Sequence, residues 1–254
     1  MLNIIQLPVL ENNYIFIIHE PESGETAVVD PAIAAPVLAT LRQRQWSLKY
    51  ILNTHHHWDH IGANVELKQV TGCQIAASAF DQQRIPGVDI SLKEGDYVML
   101  GALPLVIIDT PGHTLGHIAY YSAKASALFC GDTLFAMGCG RLFEGSAEQL
   151  WRSLQKFKAL PKNTQVYCAH EYTQNNGYFA LRVEPGNLSL QQRMTQVNKQ
   201  RQQHLTTIPT TINAELATNP FFREDSIALQ QYLNMQGKSS LAIFTALRRL
   251  KDSF

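Results

Sequence analysis

The chain has 254 residues, 45% of them hydrophobic and 17% charged, with 21 Lys and Arg balanced by 21 Asp and Glu. That length and apolar content are enough for the core of one large or two small domains, and they exclude intrinsic disorder and a small disulfide scaffold. Zero net charge lacks the basic excess of a non-specific nucleic-acid binder, and no run reaches the ~18 apolar residues of a membrane span.

The predicted elements begin with two strands, at residues 14–19 and 26–30, joined by the turn-forming Pro21-Glu-Ser-Gly24. Val37, Leu38 and Leu41 give residues 34–45 helical spacing. A short buried strand at 49–53 runs into Thr54-His-His-His-Trp-Asp-His60, and a helix follows at about 63–70. Further strands are expected at 103–109, 118–122, 127–130 and 165–168, and Ser146-Ala-Glu-Gln149 is a capping box that opens a helix through 157. Beyond His170 the strand-like runs stop, and apolar residues at 188–197, 227–233 and 241–250 keep the helical period. Residues 1–170 hold 12 basic and 15 acidic side chains, net −3; the remainder hold 9 and 6, net +3. A boundary near 172 is therefore expected, dividing a mixed α/β body (1–172) from a helical tail (173–254). The opening segment has no positive n-region or small-residue cleavage site, so no signal peptide is expected. The four scattered cysteines, without a CxxC pair, fit free thiols in a reducing cytoplasm.

Seven of the nine histidines fall in three places: His55, His56, His57 and His60 around Asp59; His113 and His117 in Thr110-Pro-Gly-His-Thr-Leu-Gly-His117; and His170. Each place follows a strand-like run, as does Asp132 in Cys130-Gly-Asp-Thr133. Imidazole and carboxylate are the donor set of Zn²⁺ and related divalent ions. In an extended segment His55 and His57 project to one side and His56 to the other. Asp59 and His60 lie a turn further on. A mononuclear centre needs three protein ligands; here His55, His57 and His113 suffice for one ion and Asp59, His60 and His170 for a second. Asp132 can bridge them with its two oxygens. Packing four His and an Asp within six residues without metal would be costly. Asp30, at a strand end, is expected to hold a ligand histidine from behind.

These segments, THHHWDH (54–60), PGHTLGH (111–117), GDTLF (131–135) and AHEYT (169–173), resemble the metallo-β-lactamase fold superfamily. Glu11-Asn-Asn-Tyr14, Gly138-Cys-Gly-Arg-Leu-Phe-Glu-Gly145, His170-Glu-Tyr172, Asn219-Pro-Phe221 and Arg248-Arg-Leu-Lys-Asp252 narrow the resemblance to the glyoxalase II (hydroxyacylglutathione hydrolase) family. The resemblance implies an α/β fold, a four-layer αββα sandwich of two mixed sheets with a C-terminal helical domain that helps hold glutathione. It implies two divalent ions per chain, Zn or alternatively Fe or Mn, and hydrolysis of S-D-lactoylglutathione to glutathione and D-lactate. Carried onto this chain, the ligands are the seven named above, with Asp59 and Asp132 also counted as catalytic. The glutathione contacts become Arg141, Tyr172, Arg248 and Lys251. Position 143 is Phe where some family members have a hydrogen-bonding Tyr.

Two metals ~3.5–4 Å apart can activate water, polarise a thioester carbonyl and stabilise a thiolate leaving group. No GxSxG nucleophile elbow is present. Rival readings are a lactonase or β-lactamase on the same fold, an iron-dependent persulfide dioxygenase, which needs only one metal site, and a non-catalytic metal binder, which would be expected to have lost a ligand. The expected partner is a small glutathione thioester, with no nucleic acid, no membrane and a monomeric chain.

Overall fold

The computed structural model describes residues 2–254, which divide into two compact units: residues up to Asp109 with Leu115–Gly131, and Thr110–Thr114 with Asp132–Phe254. The change of sequence character near 172 and this division by contact are different boundaries. Among the described residues no helix is long and apolar enough to cross a membrane.

The first unit holds β1 (Asn3–Val9), β2 (Asn13–Glu20), β3 (Glu25–Val29), α1 (Ala34–Arg44), β4 (Ser47–Leu52), α2 (Trp58–Ile61), α3 (Asn64–Thr71), β5 (Gln74–Ser78), β6 (Ile90–Leu92), β7 (Tyr97–Leu100), β8 (Leu103–Asp109), β9 (Ile118–Ser122) and β10 (Ala127–Gly131). Strands β1 to β6 form one sheet in chain order, antiparallel through β3 and parallel from β3 to β6. The strands of the second sheet in this unit run β10–β9–β8–β7, all antiparallel. Every residue of β2 is buried, because both its faces are covered. On one face Ile15, Ile17 and Val28 pack with Val37 and Leu41 of α1 and Leu67 of α3. On the other, the Phe16 ring meets Phe129 of the second sheet at 5.8 Å between centroids. The layers of this unit are thus helix, sheet and sheet. Tyr120 on β9 ties the sheets by donating to the carbonyls of Asn53 (2.9 Å) and Ala76 (3.1 Å).

Helix α1 buries Ala34, Val37 and Leu41 along one stripe and ends at Gln45, whose φ of 58° closes it in the left-handed conformation. The loop that follows β4 leaves at the carboxyl end of a parallel strand, where α/β folds place their ligands.

The second unit holds β11 (Leu134–Phe135), β12 (Gly138–Cys139), α4 (Ala147–Lys158), β13 (Gln165–Cys168), α5 (Thr173–Val183), α6 (Leu188–Gln202), β14 (Thr210–Thr211), α7 (Ile212–Thr218), a 3₁₀ turn (Pro220–Phe222), α8 (Ile227–Tyr232) and α9 (Ser240–Asp252). The Ser146–Gln149 capping box is fully formed, and α4 buries Leu150, Leu154 and Phe157 on one side. Asn187, Thr211, Ser226 and Ser239 each cap the next helix by accepting a backbone N–H; such caps are each worth about 0.5–2 kcal/mol. The rings of Phe179, Phe221 and Phe244 form the tail's aromatic core. Five elements of this unit were not expected from sequence: the hairpin strands β11 and β12, α5, whose opening Thr-Gln-Asn-Asn-Gly carries little apolar signal, α7, and the two-residue strand β14, which pairs antiparallel with β13 where no strand is expected beyond His170. All four cysteines are buried, and none is joined in a disulfide.

Candidate metal centre

In the first unit the loop that carries His55 to His60 is built on Asn53, Thr54 and Asp30. Asp30 adopts a left-handed φ of 48°, a conformation Asp tolerates better than most residues. Its Oδ1 accepts from Thr54 N (2.8 Å), and its Oδ2 accepts from the Thr54 hydroxyl (2.6 Å) and lies 3.0 Å from His60 Nδ1. Asn53, fully buried, donates to His60 O and pairs with Asn64. Gly131, with φ +49°, passes so close that a Cβ there would lie 2.3 Å from Thr54 Oγ1.

This network sets the imidazole tautomers. A carboxylate only accepts, so with Asp30 as partner His60 Nδ1 carries the proton and Nε2 is the unprotonated nitrogen. The Thr54 hydroxyl gives its proton to Asp30 and accepts from His55 Nδ1 at 3.0 Å, which leaves His55 Nε2 unprotonated. That nitrogen lies 3.0 Å from His57 Nδ1. Ligand atoms of Asp30, His55 and His60 all lie within 4.8 Å of one another. Asp59 Oδ2 accepts from Asn13 Nδ2 at 2.9 Å and sits 3.6 Å from His60 Nε2. His56 turns the other way, to Asp81 (3.3 Å), and His117 stacks on His55 at 4.8 Å.

In the second unit Asp132 presents one oxygen to each of two histidines: Oδ2 lies 3.4 Å from His113 Nε2 and Oδ1 lies 3.3 Å from His170 Nε2. His113 Nδ1 donates to the Arg141 carbonyl at 2.8 Å, so Nε2 is again the unprotonated nitrogen. Tyr172 stacks on His170 with ring planes 3° apart, and Phe135 meets both edge-on. Gly140 has no room for a side chain, since a Cβ would fall 2.0 Å from Asp132 O.

His113 and Asp132 also line a cavity of about 320 Å³ in this unit, together with Phe135, Tyr172, Arg248 and Lys251. Arg248 is only 4% exposed; its Nη1 donates to the carbonyls of Cys139 (2.9 Å) and Gly140 (3.3 Å), and its Nη2 to Asp252 (3.0 Å). It is a buried structural cation as well as a lining residue. The Lys251 ammonium lies 5.4 Å from the Phe179 ring centroid, and burial, then the Arg248 charge, lowers its pKa below the usual lysine value. Arg141 also lines the cavity but is largely exposed, 3.8 Å from Asp252. Phe143 is 62% exposed with its ring edge-on to His113. Sequence reasoning did not single out Asn13, the anchor of Asp59, although it lies in the Glu11-Asn-Asn-Tyr14 segment.

The comparisons with known proteins bear on this donor set. Residues 7–170 match the family model described as the metallo-beta-lactamase superfamily, which sets the class, and residues 171–254 match the one described as hydroxyacylglutathione hydrolase C-terminus. A protein of Methylococcus capsulatus named hydroxyacylglutathione hydrolase is 52% identical over 254 residues, covering 100% of this chain and 99% of its own. One of the same name from Rhodospirillum rubrum is 49% identical over 253 residues, with 100% and 99% covered. Among solved structures, ETHE1 from Myxococcus xanthus superposes with a TM-score of 0.67 at 23% identity, covering 99% of both chains. The chain therefore belongs to the hydroxyacylglutathione hydrolase family of the metallo-beta-lactamase superfamily. It has that superfamily's α/β fold, with mixed sheets, helices and a helical C-terminal part, and its His and Asp clusters form a donor set for divalent metal ions.

Proposed function

We propose that the protein is a binuclear metal-dependent thioester hydrolase that converts S-D-lactoylglutathione, and related S-(2-hydroxyacyl)glutathiones, to glutathione and the 2-hydroxy acid. The supporting observation is the cavity in which His113 and Asp132 share walls with Arg248 and Lys251, so that metal donors and cations suited to a carboxylate-bearing carrier line one space.

In this reading His55, His57 and His113 hold one ion, Asp59, His60 and His170 hold the other, and Asp132 bridges. The donors fit such ions: His55, His60 and His113 each give the Nδ1 proton to an oxygen and keep Nε2 unprotonated, and Asp132 turns one oxygen to each of two histidines. Two divalent ions, most simply Zn²⁺, supply an activated water and a Lewis acid for the thioester carbonyl when bound. Asp30 and Arg141 O fix the tautomers, and Asn13 holds the Asp59 carboxylate in one orientation. Lys251, Arg248 and Arg141 receive the glutathione carboxylates, and Tyr172 bounds the carrier's path beside His170. Residues 1–172 carry the metal chemistry and 173–254 the carrier's binding surface, within a cytoplasmic monomer.

The test is steady-state hydrolysis of S-D-lactoylglutathione beside a β-lactam and a lactone, with elemental analysis of the same sample. Turnover confined to the glutathione thioester, with two metal equivalents, is expected. Preference for the β-lactam or lactone would overturn the substrate assignment, and full activity at one equivalent would overturn the binuclear centre.

A further inference from the structure

The hairpin β11–β12 bears on all three candidate ligands of the second unit. Asp132 lies two residues before it. Arg141, two residues after it, supplies the carbonyl that fixes the His113 tautomer. Phe135, within it, packs edge-on against His170 at 5.9 Å. Yet β11–β12 has only two pairs in register, Leu134↔Cys139 and Phe135↔Gly138, and its turn holds Met137 at a left-handed φ of 56°. So short a hairpin is not stable by itself. It is held from outside. Asn219 Nδ2 donates to the carbonyls of Phe135 (3.3 Å) and Gly138 (3.0 Å), Glu215 Oε2 accepts from Met137 N (2.8 Å), and Asn176 Nδ2 donates to Ala136 O (3.2 Å).

Glu215 and Asn219 are both fully buried and joined at 2.9 Å. The other Glu215 oxygen accepts from Arg193 Nη2 and Thr210 Oγ1, each at 2.7 Å. Every partner of this carboxylate is a donor, so both oxygens must accept. A glutamine would turn its NH₂ onto a donor whichever way it faced.

We propose that Glu215 and Asn219 are positioning residues for the metal centre: by clamping the hairpin they place Asp132, His113 and His170 for the ions. The proposal rests on the ligand assignment in the functional reading above. It gives the helical tail a second task, apart from any contact with substrate.

The experiment compares Asn219→Ala and Glu215→Gln with the unaltered protein, measuring Zn²⁺ affinity by competition with a chromophoric chelator in the absence of substrate, then kcat and KM. Groups hydrogen-bonded to the metal ligands themselves are typically worth about 10–100-fold in metal affinity or activity; Glu215 and Asn219 act one step further out, through the hairpin backbone, so a loss at the low end, about tenfold, is expected in both Zn²⁺ affinity and kcat, with KM little changed and kcat partly restored by excess Zn²⁺. A purely structural role would lower the melting temperature while folded protein kept the parent's Zn²⁺ affinity, and that result overturns the proposal. Should neither variant fold, Asn176→Ala, which releases only the Ala136 carbonyl, is judged by the same affinity measurement. Because affinity is read without substrate, the comparison stands even if the protein proves not to hydrolyse glutathione thioesters.

Discussion

Replacing Asp30 with Asn exchanges one oxygen for an NH₂ and should disturb the hydrogen-bond network around His60. The carboxylate accepts from three donors: Thr54 N on one oxygen, the Thr54 hydroxyl and His60 Nδ1 on the other. An amide can accept at only one of these two positions. If its NH₂ faces Thr54 N, two buried donors oppose each other, at a cost of about 1–3 kcal/mol. In a chain of this length that corresponds to a melting-temperature loss of roughly 2–12 °C. If the NH₂ instead faces His60, the imidazole must move its proton to Nε2, its candidate ligand atom, and Zn²⁺ affinity should fall by about 10–100-fold. Either orientation is detectable by calorimetry of the metal-free protein together with Zn²⁺ titration. An Asp30→Asn variant with unchanged melting temperature and unchanged Zn²⁺ affinity would refute the tautomer argument for His60 and the role assigned to Asp30.

Asp132→Ala should abolish most thioesterase activity while far-UV circular dichroism stays close to the parent's; near-parental turnover would show that Asp132 is not the bridge. Lys251→Ala should raise KM for the glutathione thioester by roughly tenfold, the low end for a partly exposed charge-assisted hydrogen bond of about 1.5–3 kcal/mol, with kcat little changed; an unaltered KM would remove Lys251 from the carrier's site. Burial lowers the Lys251 pKa, and only the protonated amine attracts a carboxylate, so kcat/KM should begin to fall with rising pH below the ordinary lysine value of 10.5. A Lys251→Arg variant should remove that limb of the profile, and a limb that survives the change belongs to another group. Burial pushes the Cys139 thiol up to about 11 and Cys168 up to about 12, so both should resist iodoacetamide at pH 8 in the folded protein; rapid modification of either, seen by mass spectrometry, would contradict the packing around it.

Much of this architecture is legible in the sequence because it is local. The His55–His60 cluster announces a metal set by density alone, the Ser146–Gln149 capping box forms as read, and α1 and α9 follow their apolar periods. What was not legible is carried by single polar side chains reaching across long stretches of chain. Asn13 meets Asp59 across 46 residues, Glu215 meets Met137 across 78, and Asn219 meets Phe135 across 84. Such contacts leave no period and no neighbouring pattern. Strands β5 to β7 were also missed: they are rich in Gln, Ala, Ser and Met and carry few of the β-branched and aromatic side chains that mark β9 and β13. Arg248 is a further case: its place among the residues expected to contact the carrier does not announce that its guanidinium is buried against two backbone carbonyls.

The Arg248 bond to the Cys139 carbonyl has a consequence for the ribosome. The two residues are 109 positions apart, and at about 5–20 residues per second the second is made roughly 5–20 s after the first. Throughout that interval the nascent hairpin has no guanidinium to hold it, and the clamp from Glu215 and Asn219 also comes late in translation. The segment from Asp132 to Cys139 therefore waits, while roughly a further third to a half of the chain is made, for the residues that hold it. The second unit's hairpin thus acquires its fixed form only once the last helix of the chain has been made.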